Sequence, residues 1–446
     1  MHTVLLQTSL SISGKMPKPN LNKYSATEVV KMIAEGSTTS EAVTQACLER
    51  IACREETVRA WAYIDPEYAL AQARIRDNTP TKGVLHGLPI GVKDVIDTSD
   101  MPTQMESIIY DQYQPKTDAA CVAILRAAGA VILGKTVTCE FAGSHPGATT
   151  NPHNPDHTPG GSSSGSGAAV ADYMVYGAFG TQTGGSILRP ASFCGTVGYK
   201  PTYNLINRAG LMFAAENLDT IGLLTRSVDD VDLLMCALLN RPKSKTFPAD
   251  ARPKIGLCHT HHWDLAQPET VDAIDDSVHR LKSLGAEIID LTLPASFAEL
   301  ARARNTLNDF ERSRVLADLW QNHRNQLSDK IARQLENGTT MEYSKYLEAV
   351  IMTNKCRAML DDVFDDIDFI LAPAATGEAP GGLGYTGDPQ FQGCWTILHV
   401  PTISVPTHVG PNSLPVGIQL IGRRWQDEIL LSWSRWVMNQ LGDWRG

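Results

Sequence analysis

No apolar run in this 446-residue chain reaches the length needed to span a bilayer, so no transmembrane segment is expected. Positive charge is also in deficit. The 39 Lys and Arg stand against 49 Asp and Glu, for a formal net charge of −10. That balance excludes the basic footprint with which proteins hold nucleic acid or an anionic membrane surface. Nine cysteines are scattered with no Cys-x-x-Cys pair. An odd number of dispersed thiols in a long chain fits a reducing compartment better than a disulfide framework, so a cytoplasmic protein is expected. The N-terminal MHTVLLQTSLSISGKMPKPN has a short apolar patch without a basic start, and no signal peptide is expected there. No repeat of fixed period is visible.

What is present is a core. A hydrophobic fraction of 43% with 20% charged residues is that of a globular protein, long enough for two or three domains or one large α/β unit. The chain is organised around Gly160 to Pro190. Two glycine-flanked serine clusters, Gly160-Gly161-Ser162-Ser163-Ser164-Gly165 and Gly184-Gly185-Ser186, bracket an apolar run from Ala168 to Phe179 long enough for a buried helix and a strand. Serine-glycine stretches are often linkers, but linkers do not enclose a core segment such as Ala168-Ala169-Val170-Ala171.

Upstream, Tyr24 to Ile64 reads as two helices, with capping-box patterns at Ser25–Glu28 and Thr38–Glu41. Val84 to Asp97 reads as an apolar strand with Lys93 in its middle. It is either a snorkelling lysine of an edge strand or a buried one with a lowered pKa that could act as a neutral base. Asp118–Arg126 followed by Gly129–Lys135, and Thr270–Leu284 followed by Glu287–Leu293, are αβ units of a layered α/β fold. Between them Asp229–Leu239 is an expected helix and Lys254–Cys258 an expected strand. Residues 297–364 read as a helical, charged cap or partner-facing region. The end returns to buried strands at Phe369–Pro373 and Val416–Ile421 and a helix from Glu428. Cys258-His259-Thr260-His261-His262 lacks a second ligand group at metal-site spacing and is read as a surface turn.

Acyl transfer needs a nucleophile, a route for its proton and donors for the oxyanion. Ser186 follows two glycines whose backbone N–H groups can turn toward developing negative charge, and a lysine kept neutral by burial can accept a proton. No strand-turn-helix Gly-x-Ser-x-Gly elbow competes, and no Gly-Lys-Ser/Thr marks a phosphate cradle.

Gly91-Val92-Lys93-Asp94, Gly160-Gly161-Ser162-Ser163, Gly180-Thr181-Gln182-Thr183-Gly184-Gly185-Ser186 and Pro190-Ala191-Ser192-Phe193-Cys194-Gly195 together resemble the amidase-signature family. Lys200-Pro201-Thr202, Leu218–Gly222 and Thr225–Val228 extend the likeness from about Ser25 to the C-terminus. The resemblance implies an α/β fold with a large mixed β-sheet covered by helices on both faces. It also implies one domain over 1–446, with an N-terminal extension at 1–23, N-terminal helices at 24–64 and a variable cap at 297–364. It implies Ser186 as nucleophile, Ser162 (after a cis peptide bond) as proton relay and Lys93 as base, at the family's spacing of 186 − 162 = 24. The backbone amides of Thr183, Gly184, Gly185 and Ser186 become the oxyanion hole, and Ser163 a supporting hydrogen-bonding residue. No metal and no cofactor are expected.

Three residues depart from the family pattern: Gln182 stands where aspartate is common, Ser164 where glycine is usual, and Arg189 one position beyond the place, here Leu188, where many members carry their arginine. The expected activity is hydrolysis of an amide or carbamate. A glutaminase subunit of a transamidation complex is the alternative, and a non-catalytic scaffold on the same fold is the reading from another class. The expected partner is a small-molecule amide or carbamate, with no nucleic acid and no membrane; a homodimer is an admissible assembly. Expected pocket walls are Phe141 to Pro146 (with Phe141, Gly143, Ser144 and His145 as contacts), the segment around Met212 and Phe213, and Gly393 to Thr396. The aromatic rings of Phe141 and Trp395 there would favour a flat or apolar group.

Overall fold

The computed structural model describes residues 20–445. Residues 1–19 of the expected N-terminal extension, and the reading of that segment as lacking a signal peptide, lie outside the described residues. Within them, eleven strands form one sheet: β1 (Trp61–Ile64), β2 (Pro89–Lys93), β3 (Val131–Thr136), β4 (Gly177–Gln182), β5 (Val197–Lys200), β6 (Thr220–Thr225), β7 (Lys254–Leu257), β8 (Glu287–Asp290), β9 (Phe369–Pro373), β10 (Thr402–Val409) and β11 (Pro415–Ile421). Their order is β1-β3-β2-β4-β6-β5-β10-β11-β9-β7-β8. β2 runs parallel to β3 and β4, and β7 parallel to β8 and β9. The other pairs are antiparallel, so the sheet is mixed.

Both faces are covered, as neighbouring residues of β5 show. A side chain at Gly198 would run into Ala191 and Ile187, beside helix Leu188–Cys194. The next residue, Tyr199, points the other way and donates its hydroxyl hydrogen to Asp427 at the start of helix Asp427–Leu441, 2.6 Å away. Covered on both sides, β2, β3, β4 and β9 are buried at every position, which is why they read as largely apolar runs rather than alternating ones. No helix among the described residues is long and apolar enough to cross a membrane.

The structure corrects several local expectations. The segment up to Ile64 is not all helix: after Ala26–Ala34 and Ser40–Val58, Arg59 turns left-handed and Trp61–Ile64 forms β1. The capping box at Ser25 and Glu28 forms in both directions, but the second is not a box. There Thr39 caps by accepting the Ala42 N–H, and Glu41 pairs with Arg74 at 2.8 Å. Lys93 is the last residue of an interior strand, not the middle of an edge strand, so a snorkelling route to water is closed. The buried helix expected from Ala168 begins earlier, inside the first serine cluster. Ser164–Ala171 is a fully buried helix, and a side chain at Gly165 would collide with the backbone of Ala60 and Val137. Glycine serves close packing here.

Candidate active site

The site lies at the ends of two parallel neighbours, β2 and β4. β2 ends on Lys93, and β4 delivers Thr181 and Gln182 before the chain turns through Thr183–Ser186. Lys93 is 0% exposed, and its Nζ lies 2.8 Å from Ser162 Oγ and 2.7 Å from Thr181 Oγ1. Burial, the dominant cause, brings its pKa from 10.5 down to about 7; the Arg312 and Arg189 charges push the same way, while Cys139 and Asp219 oppose. The Gly161–Ser162 peptide is cis. Ser163 ties the two serine clusters together. Its N–H donates to the Ser186 carbonyl at 3.2 Å, and its hydroxyl bridges the carbonyl and N–H of Thr181.

The turn carrying Ser186 is held from outside. Gln182 Oε1 accepts the N–H groups of Ile187 and Leu188, at 2.9 and 3.1 Å, and its Nε2 donates to Thr396 Oγ1. Thr396 in turn donates to the Gly184 carbonyl at 2.7 Å, and the Thr183 hydroxyl donates to Asp219, 2.5 Å away. Here an amide does what a carboxylate could do in accepting two N–H groups, and it adds a donor toward Thr396 without placing a charge in a fully buried position. The N–H groups of Gly184, Gly185 and Ser186 have no partner among the described residues, and neither does the Ser186 hydroxyl.

Gly184, Gly185 and Ser186 border a cleft of about 370 Å³. A larger cavity, about 860 Å³, lies between the N-terminal helices and holds neither Ser186 nor any arginine of this cleft. Of the residues expected to contact substrate, Gly143 and Ser144 line the cleft. Phe141 and Trp395 do not. Phe141 is 1% exposed, packs edge-on against Tyr110 and offers only its carbonyl, to Arg312 at 2.8 Å. Trp395 is 0% exposed, on the core side of helix Gln390–Ile397. His145 faces a neighbouring surface cleft beside Glu106 and Glu140, and Met212 and Phe213 pack against the core. The wall expected from Phe141 and Trp395 is thus absent from the cleft, whose aromatic lining among the described residues is Tyr385, and the argument those two rings carried for a flat or apolar substrate goes with it.

Cations take its place: Arg189, Arg304, Arg312 and Lys330 line the cleft, with Asn305, Asn308 and Gln334. Most of these belong to 297–364, through helices Leu300–Val315 and Asp329–Thr340. The region supplies one wall of the cleft. A signal was present in the sequence: Arg304, Asn308 and Arg312 recur at i, i+4 and i+8 in a row flanking the apolar stripe Leu300, Ala303, Leu307 and Phe310.

Comparison with known proteins places this geometry. The model of the family described as Amidase matches residues 42–431. A glutamyl-tRNA(Gln) amidotransferase subunit from Oleidesulfovibrio alaskensis is 32% identical, over 93% of this chain and 97% of its own. A putative amidase AmiD of Mycobacterium bovis is 31% identical over 94% and 95%. A crystal structure of an amidase superposes with a TM-score of 0.87 at 28% identity, covering 94% of this chain and all of the other. The chain belongs to the amidase-signature family of hydrolases, whose enzymes cleave C–N amide bonds.

Proposed function

We propose that the protein is a free-standing hydrolase of a non-peptide amide or carbamate, working through an acyl-enzyme on Ser186. The observation that carries it is the buried Lys93, its Nζ 2.8 Å from Ser162 Oγ, with a pKa near 7. A neutral amine has a lone pair to take a proton; an ammonium has none. Ser186 Oγ attacks the carbonyl carbon as its proton passes to Ser162 Oγ and the Ser162 proton passes to Lys93 Nζ. The oxyanion is met by the unpartnered N–H groups of the Thr183–Ser186 turn. Collapse breaks the C–N bond, the departing nitrogen takes the proton back along the same route, and water then cleaves the ester in the reverse sense.

A second reading, a glutaminase subunit handing ammonia to a partner, is favoured by relatives such as that of O. alaskensis. One experiment separates the two. Release of ammonia or amine is measured from primary amides, aryl amides, aryl carbamates and glutamine, with wild type and Ser186→Ala in parallel. Serine-dependent release from a simple amide or carbamate is the expected result, and release from glutamine alone favours the second reading. Undiminished turnover by purified Ser186→Ala overturns the mechanism.

A further inference from the structure

The four cations of the cleft have no counter-charge. None of Arg189, Arg304, Arg312 or Lys330 lies within ion-pair distance of a carboxylate among the described residues, and no acidic residue lines the cleft. Buried guanidinium groups are normally paired, because an unpaired buried charge is costly. Here Arg189, Arg304 and Arg312 are only 5%, 6% and 2% exposed. Arg189 spends Nη2 on the carbonyl of Gly161 at 2.5 Å and the hydroxyl of Thr386 at 3.3 Å, and its Nε and Nη1 have no partner. Arg312 gives Nη1 to the Phe141 carbonyl and leaves Nε unmet. Arg304 reaches only the Pro389 carbonyl and the Asn305 amide oxygen.

The carboxylates nearest these groups are engaged elsewhere. Asp388 accepts the Gln390 N–H, Asp219 accepts from Thr183, Ala214 and Ala215, Asp309 accepts from Gln334, and Glu140 accepts the Ser328 N–H. Glycine keeps the arginine positions open. A side chain at Gly393 would occupy the place of Arg304 Nη1, and one at Gly387, whose φ is +89°, would lie 2.8 Å from Arg189 Cδ.

We propose that the amide cleaved here carries a carboxylate and no ammonium group, as does the monoamide of a short dicarboxylic acid. The proposal rests on the reading of Ser186 as nucleophile. A carboxylate supplies the missing counter-charge and accepts from several guanidinium nitrogens at once. An α-ammonium would meet four cations and no acceptor of opposite sign, so glutamine fits this wall poorly.

The test compares succinamate and glutaramate with butyramide and valeramide, which put a methyl group where the carboxylate stands, at constant ionic strength, with glutamine alongside. The carboxylate is expected to raise kcat/KM at least tenfold and to raise the melting temperature at concentrations where the neutral amide leaves it unchanged. Arg304→Met, checked for folding by circular dichroism, is expected to bring the preference below threefold, and Arg304→Lys to restore part of it. Equal handling of charged and neutral amides by wild type, in turnover or in the melting shift, overturns the proposal. Labelling of Ser186 by a fluorophosphonate separates the two failures. If Ser186 is labelled and the preference is absent, only the carboxylate inference falls. If Ser186 is not labelled and Ser186→Ala turns over normally, the nucleophile falls, while the melting shift still decides the anion site.

Discussion

Lys93 gives the most exposed prediction of the mechanism. An unburied lysine with a pKa of 10.5 leaves about 1 in 3,000 molecules neutral at pH 7, since 10.5 − 7 = 3.5; burial to about 7 leaves about half neutral. Two consequences follow in different observables. In rate, kcat/KM should rise about tenfold per pH unit below 7 and level off above it, because only the amine can take the Ser162 proton. Lys93→Met should cost about 10²–10⁴-fold and remove that limb. In stability, the unfolded lysine holds its proton up to pH 10.5, while the folded one releases it near 7. The unfolded state therefore binds more protons between these values, and stability rises with pH across that window. The cost of burying the ammonium is about 5 kcal/mol on this scale. Lys93→Met relieves that cost, so its stability relative to wild type should be greatest below pH 7 and should decline toward pH 10.5. The assays are an initial-rate profile from pH 5.5 to 9.5 and denaturant unfolding of both proteins at pH 6 and 9.5. A flat rate profile, or a Lys93→Met stability difference that does not change with pH, would refute the reasoning.

Two further substitutions probe the scaffold of the turn. Gln182→Leu leaves the buried N–H groups of Ile187 and Leu188 without an acceptor, and should cost about 2–4 kcal/mol in chemical denaturation together with most of the activity. Gly393→Val puts atoms where the Arg304 guanidinium lies, so KM for an anionic amide should rise more than kcat falls; an unchanged KM would show that Arg304 has room to move aside.

The sequence was most legible where chemistry constrains residue type. Lys93 and Ser186 lie 93 residues apart with Ser162 between them, yet their flanking glycines and apolar neighbours marked all three. The topology that joins them, β2 beside β4, follows from strands whose burial on both faces shows as unbroken apolar runs. β1, β5, β6 and β10 were not identified as strands: each is short or carries glycine, proline or threonine, and owes its state to pairing partners distant in the chain. The pocket failed for a different reason. Phe141 and Trp395 are aromatic and lie in segments expected to wall the pocket, but a place in such a segment says nothing of direction, and both turn into the core. The arginines of helix Leu300–Val315 were read only as part of a charged cap or partner-facing region, because sequence alone does not reveal that this face closes over a cleft.

The base and the binding wall are electrostatically one system. Burial dominates; Cys139 and Asp219 oppose it, and the smaller effects of the Arg312 and Arg189 charges act with it, so the cations that await a carboxylate also contribute to keeping the base neutral. A bound anion offsets part of their field. The Lys93 pKa should therefore be higher in the substrate complex than in the free enzyme, and the rising limb of kcat should sit at higher pH than that of kcat/KM. Linkage requires the converse: a carboxylate must bind more tightly when Lys93 is protonated, so inhibition by succinate should strengthen as pH falls through 7, in a range where the carboxylates of succinate are themselves largely ionised. A neutral amide has no charge to offset that field, and its two limbs should lie closer together. Measuring both limbs for succinamate and butyramide on the same enzyme tests the coupling. Equal separations for the two substrates would mean that the cations and Lys93 act independently, and that the neutrality of the base owes nothing to the wall that binds the substrate.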